Sequence, residues 1–123
     1  MKISPPLYIA SALLAAALLH NCAARAHDAE HPENNAWMMA LQNGAGVLCC
    51  EISDTNAIKD VPWDTYKDNQ GFAHYEVMVE NTWLHVDDSL VVREPNKLGV
   101  PIVWIYHSDG MAKVRCFMPG VGL

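Results

Sequence analysis

VPIVWIYHSDGMAKVRCFM (residues 100–118) is the stretch that decides the fold. Two runs rich in β-branched and aromatic residues flank Asp109-Gly110, a favoured pair for a two-residue type I′ hairpin turn. Counting outward from that turn pairs Ile105 with Val114, Trp104 with Arg115 and Val103 with Cys116. One face then carries Val103, Ile105, Ala112, Val114 and Cys116, and reads as core. The other carries Trp104, Tyr106, Lys113, Arg115 and Phe117.

Upstream, HYEVMV (74–79) and TWLHVD (82–87) flank Glu80-Asn81 and read as a second hairpin. Cross-strand pairing groups Tyr75, Val77, Val79, Leu84 and Val86 on one face. His74, Glu76, Met78, Trp83, His85 and Asp87 fall on the other. SLVVRE (89–94) reads as a further strand, and PNKLG (95–99) as a turn by composition. Residues 47–52 are apolar enough for one strand. Residues 53–72 are dominated by Asp, Asn, Thr, Pro and Gly, and read as a long loop carrying Trp63 and Tyr66. AWMMALQNG (36–44) places Trp37, Met38 and Leu41 at helical spacing, with Asn34 or Asn35 as N-cap and Gly44 and Gly46 as stop signals. The expected fold is mainly β (α+β): a small antiparallel sheet or partly open barrel with one short N-terminal helix.

The N-terminus is an address. Lys2 precedes an apolar run over residues 7–19, and Ala24-Arg25-Ala26 has the small-x-small form of a signal-peptidase site. The expected organisation is a signal peptide over residues 1–26, a polar arm over 27–35 and a single domain over 36–123, with a periplasmic or secreted product. Asn21 before Cys22 does not fit the small residue that lipidation of that cysteine requires. Cleavage after Ala26 removes Lys2 and Arg25, deepening a net charge that is already −6. An acidic domain without a basic cluster argues against nucleic acid and anionic membrane surfaces. No second apolar run is long enough to span a bilayer.

The chain has four cysteines, and Cys49-Cys50 are adjacent. On a strand they face opposite ways. Leu48, Cys50 and Ile52 share one parity, so Cys50 is the inward member and Cys116 its expected disulfide partner. A bridge closing so long a loop contributes about 4 kcal/mol in the chain-entropy treatment. Cys49 is then the unpaired thiol and a route to a dimer.

WMMALQNGAGVLCCEISDT, YEVMVENTWLHVDDSLVV and RCFMPG resemble a group of small secreted proteobacterial proteins of unknown function. Those carry a Trp-containing segment, a CCD-x-S-D-C motif, a W-x-x-V strand and a closing C-F-x-P. Cys49, Cys50, Ser53 and Asp54 match the motif. Thr55 stands where the relatives often have a further cysteine, which implies an odd cysteine here. The resemblance implies fold and compartment, and no activity.

Trp83, Trp104, Tyr106 and Arg115, on non-core faces, form the candidate binding surface; the opposing reading has the helix cover Trp104 as a second core layer. Trp104 opposite Arg115 suits a cation–π contact. His74, Glu76, Met78, His85 and Asp87 share one face and could converge on copper or zinc. Cleavage after Ala26 would expose His27 as the amino terminus, with His31 four residues on, a second copper-chelating arrangement of amine and imidazole. No Gly-rich phosphate loop, G-x-S-x-G elbow or H-E-x-x-H occurs. The expectation is a non-enzymatic binding or structural domain without a cofactor, the alternative being a periplasmic metal-binding protein.

Overall fold

The computed structural model describes residues 31–50 and 55–121. The expected signal peptide, residues 27–30 of the arm, and Ser53-Asp54 lie outside them. Among the described residues the fold is mainly β, with two three-stranded antiparallel sheets and one short helix, and no closed barrel. A 3-10 turn, Pro32–Asn34, leads into α1 (Asn35–Ala40), so helical structure starts earlier than the arm-then-helix reading placed it. Pro32 suits that start because the first amides of a helical segment need no internal acceptor. Asn34 is the N-cap residue, but its side chain makes no capping bond.

The strands are β1 (Asn56–Lys59), β2 (Trp63–Lys67), β3 (Ala73–Val79), β4 (Thr82–Val86), β5 (Ile102–Ser108) and β6 (Met111–Met118). One sheet has the order β1-β5-β6 and the other β2-β3-β4. Both two-residue turns are as read. Glu80 and Asn81 take φ of 52° and 62°, and Asp109 and Gly110 take 53° and 74°. This pair of left-handed residues twists with the strands it joins. It sets the registers Val79↔Thr82 and Ser108↔Met111.

Beyond the second turn the expected register holds to Ile105↔Val114 and then slips. Trp104 pairs with Cys116 and Val103 with Phe117, leaving Arg115 as the extra residue of a bulge. The slip moves Cys116 onto the Trp104 face and Phe117 onto the Val103 face. Both faces of this sheet are covered. Ile102, Trp104, Cys116 and Met118 pack with Met38, Leu41, Cys49 and Val92. Val103, Ile105 and Phe117 pack with Val61, Val77, Val79 and Val86 from the direction of the second sheet. The order of layers is therefore the N-terminal segment, then β1-β5-β6, then β2-β3-β4.

Three expectations change for identifiable reasons. Residues 47–50 form no strand: Leu48 makes one isolated bridge to Gln42, and the Cys49 amide donates to the Leu41 carbonyl at 3.0 Å. The alternation survives with its sense reversed, because Leu48 is 36% exposed and Cys49 fully buried. The disulfide is accordingly Cys49–Cys116, with Cα atoms 5.6 Å apart, rather than Cys50–Cys116. Cys49 is thus no unpaired thiol and no free handle for a dimer. Cys50 is disulfide-bonded as well. Residues 56–59 and 63–67 are strands despite their polar composition, since pairing with β5 and β3 outweighs local propensity. Residues 89–94 are not a strand. Asp87 accepts the Ser89 amide to start a 3-10 turn, Asp88–Leu90, and only Val91 bridges Phe117. The expected turn at 95–99 is held by Asn96. Its amide donates to Val100 and Pro119 carbonyls, and its oxygen accepts the Leu98 and Gly99 amides.

Cys49→Ala and Cys116→Ala are each expected to cost about 4 kcal/mol in urea unfolding, and the double variant no more than either alone. Additive losses would show that the two sulfurs act separately. Trp104 is fully buried, and its Nε1–H finds no partner among the described residues. Trp104→Ala is expected to cost about 3–5 kcal/mol. Trp104→Phe should cost much less, because it keeps ring volume and removes the unpaired donor. Equal losses would point to a hidden bond at Nε1.

Candidate functional site

The four residues expected to share a binding surface are dispersed by the layers. Trp104 lies buried beneath α1, so the second-core-layer reading holds. Tyr106 is half-buried farther along β5. Arg115 sits in the bulge, where its Nε–H donates to the Leu48 carbonyl at 2.8 Å. It does not stand across from Trp104. The cation–π contact that forms is Lys97 over the Trp37 ring, 5.5 Å from its centroid. Trp83 is 46% exposed on the outer face of the other sheet.

That outer face is as read from the alternation. Glu76 pairs with His85, Met78 with Trp83, and Tyr66 with His74. Within it, the rings of Tyr66, His74 and His85 contact one another at centroid distances of 5.4–5.9 Å. Each imidazole has one nitrogen engaged. His74 Nε2 lies 2.8 Å from Asp68 Oδ2, and His85 Nδ1 lies 2.5 Å from the Tyr66 hydroxyl.

Asp68 is itself fixed by the β2–β3 turn, where its other oxygen accepts the Gln70 and Phe72 amides. The hydrogen bond from His74, then the Phe72 amide, holds the Asp68 carboxyl below its usual value. The same bond raises His74 above the ordinary imidazole value, against an opposing desolvation. Asp88 Oδ1 lies 3.8 Å from His74 Nδ1. The backbone amide of Ser89 holds Asp87 low.

The five-residue metal set is only partly gathered. His74 and His85 meet, Met78 is drawn across from Trp83, and Asp87 is spent on Ser89. Among the described residues no three His, Cys, Asp or Glu side chains form a ready ligand cluster. His31 contacts Glu33, and His27 lies outside the described residues.

A cleft of about 480 Å³ opens beside this face, between the tips of the two hairpins. Its walls are Val79 and Leu84 from one sheet, and Ala112 and Val114 from the other. These residues extend the second core cluster to the surface. Glu80, Thr82, His85, Met111 and Lys113 form the rim. His107 Nε2 lies 2.6 Å from Glu80 Oε1 and ties one tip to the other. Sequence reading placed Ala112 and Val114 on the core face of their hairpin, and Val79 and Leu84 together on one face of the other. Their alternation is a core alternation, and nothing in it records where two sheets part. A second cleft of about 520 Å³ lies among Asp60, Trp63, Pro101 and Gly120.

No family model, curated protein or solved structure matches the chain. Among the described residues no helix is long and apolar enough to cross a membrane.

The Asp68–His74 pair has a pH signature. The His74 contribution is fully present below pH 6.5 and fades as pH rises through its raised folded value. The Asp68 contribution is fully present above pH 3.8 and fades as pH falls through its lowered value. Both are complete only between those two limits. In Asp68→Asn, NMR titration should place His74 lower than in the parent chain, and unfolding should lose this pH dependence. An unmoved His74 titration would show that Asp68 does not hold it.

Proposed function

We propose that this chain is an exported binding module, not an enzyme, whose ligand enters the cleft between the two hairpin tips. The observation that carries the reading is the cleft itself. It falls within the size range of small-molecule sites and combines apolar walls with a few polar groups at the rim. An open end between two sheets suits a ligand with an apolar body and a polar end. The body replaces water against Leu84, Ala112 and Val114, while the polar end stays at the rim.

Export is part of the same proposal. The N-terminal address supplies the route, and the buried Cys49–Cys116 bridge suits an oxidising compartment. The likeness to secreted proteins with a double cysteine points the same way.

Ala112 is the residue on which a test turns, because it is a small side chain on the cleft wall. A library of small aromatic fragments, screened by amide NMR, should perturb Leu84, Ala112 and Val114 together. Ala112→Phe should abolish those shifts while leaving the unfolding midpoint close to the parent value. Binding that persists in Ala112→Phe, or perturbation centred on Trp63 and Pro101, would move the site elsewhere.

A further inference from the structure

The outer face of β2-β3-β4 carries a feature that the cleft does not use. His74 and His85 stand on adjacent strands with ring centroids 5.4 Å apart and planes inclined at 61°. With metal–nitrogen bonds of about 2.0–2.1 Å, two imidazoles sharing one ion hold their centroids on the order of 5 Å apart. Each ring also has one nitrogen already tied to an oxygen from outside the pair: Asp68 on His74 Nε2, and Tyr66 on His85 Nδ1. Outer partners of this type fix the tautomer of a ligating histidine and raise its basicity. In the neutral His74 ring the proton sits on Nε2, facing Asp68, and Nδ1 carries the lone pair. When His85 Nδ1–H donates to Tyr66, Nε2 is the corresponding donor.

From this arrangement we propose that His74 and His85 form a two-imidazole site for a divalent transition-metal ion, with Asp68 and Tyr66 as its outer partners. Water completes the ion's shell, since among the described residues no third His, Cys, Asp or Glu joins the pair. Asp88 adds favourable charge: its carboxylate is 3.8 Å from His74 Nδ1, too far for a hydrogen bond, and 69% exposed. Two nitrogen donors on an open face favour Cu(II) over Zn(II), following the general affinity order for such ligands. The site is independent of the cleft reading, although His85 also touches the cleft rim.

The test uses the full untagged chain and Cu(II) chloride alone, followed by electron paramagnetic resonance and calorimetry. One equivalent should bind with two imidazole nitrogens in its hyperfine pattern. His74→Gln and His85→Gln should each abolish that equivalent. Asp68→Asn should weaken it about 10- to 100-fold without changing the stoichiometry. Retention of the two-nitrogen species in either histidine variant overturns the proposal, because both donors are then not in one site. Should a variant fail to fold, the parent chain supplies the answer. Substoichiometric Cu(II) must broaden the ring resonances of His74 and His85 together, and broadening of only one, or of neither, overturns the shared site.

Discussion

An extra residue in β6, Arg115, decides which way the end of that strand faces, and most of the molecule follows from it. Without the bulge, Cys116 would look toward the second sheet and Phe117 toward α1. With it, Phe117 joins Val77, Val86 and Val103, and Cys116 turns to the layer containing Cys49. The bulge is held from outside the sheet. Asn43 donates its side-chain amide to the Arg115 carbonyl, and its oxygen accepts the amides of Ala45 and Val47. Arg115 in turn donates to Leu48. The segment that brings Cys49 inward is therefore docked on the irregularity that brings Cys116 toward it. The disulfide locks a meeting that these polar contacts already define.

Covering both faces of β5 has a consequence for the outer layers. The β1-β5-β6 sheet is the interior of the domain, and Ile102, Val103, Trp104 and Ile105 are consecutive buried residues. A run buried on both faces shows no alternation, which is the pattern of a central strand. The β2-β3-β4 sheet has one buried face only. Its solvent face can therefore carry His74, Glu76, Trp83 and His85 without cost to the core. Chemistry collects on that sheet because it is the layer left half open.

The legible parts of the fold were those governed by local rules. Asp109-Gly110 and Glu80-Asn81 announce their turns, and the alternation in β3 and β4 placed His74 and His85 on one face. The bulge was not legible, since nothing in KVRCF marks one residue as surplus until Asn43, seventy-two positions earlier in the chain, is brought beside it. The cysteine pairing failed for that reason and one more. Residues 47–50 lack strand structure, so the parity of Leu48 and Ile52 could not be carried through Cys50. Tyr66 was missed because β2 is a polar edge strand whose composition resembles a loop, and Asp68 because it lies in the turn that follows β2. Half of the imidazole cluster was thus visible, and its fixing partners were not.

The cleft follows from the same geometry. Each hairpin ends in a two-residue turn, so neither tip has spare chain to fold over the gap between the sheets. Val79 and Leu84 continue one apolar face to its tip, and Ala112 and Val114 continue the other. Toward the middle of the domain these faces are joined by Phe117 and Val103, two large or branched side chains supplied in correct register by the bulge. At the tips the facing residue is Ala112, too small to close the distance. Glu80 and His107 tie the two tips with a polar contact, while the apolar walls remain open to the cleft. The opening is therefore a property of where the bulge stops correcting the register and where a small residue begins.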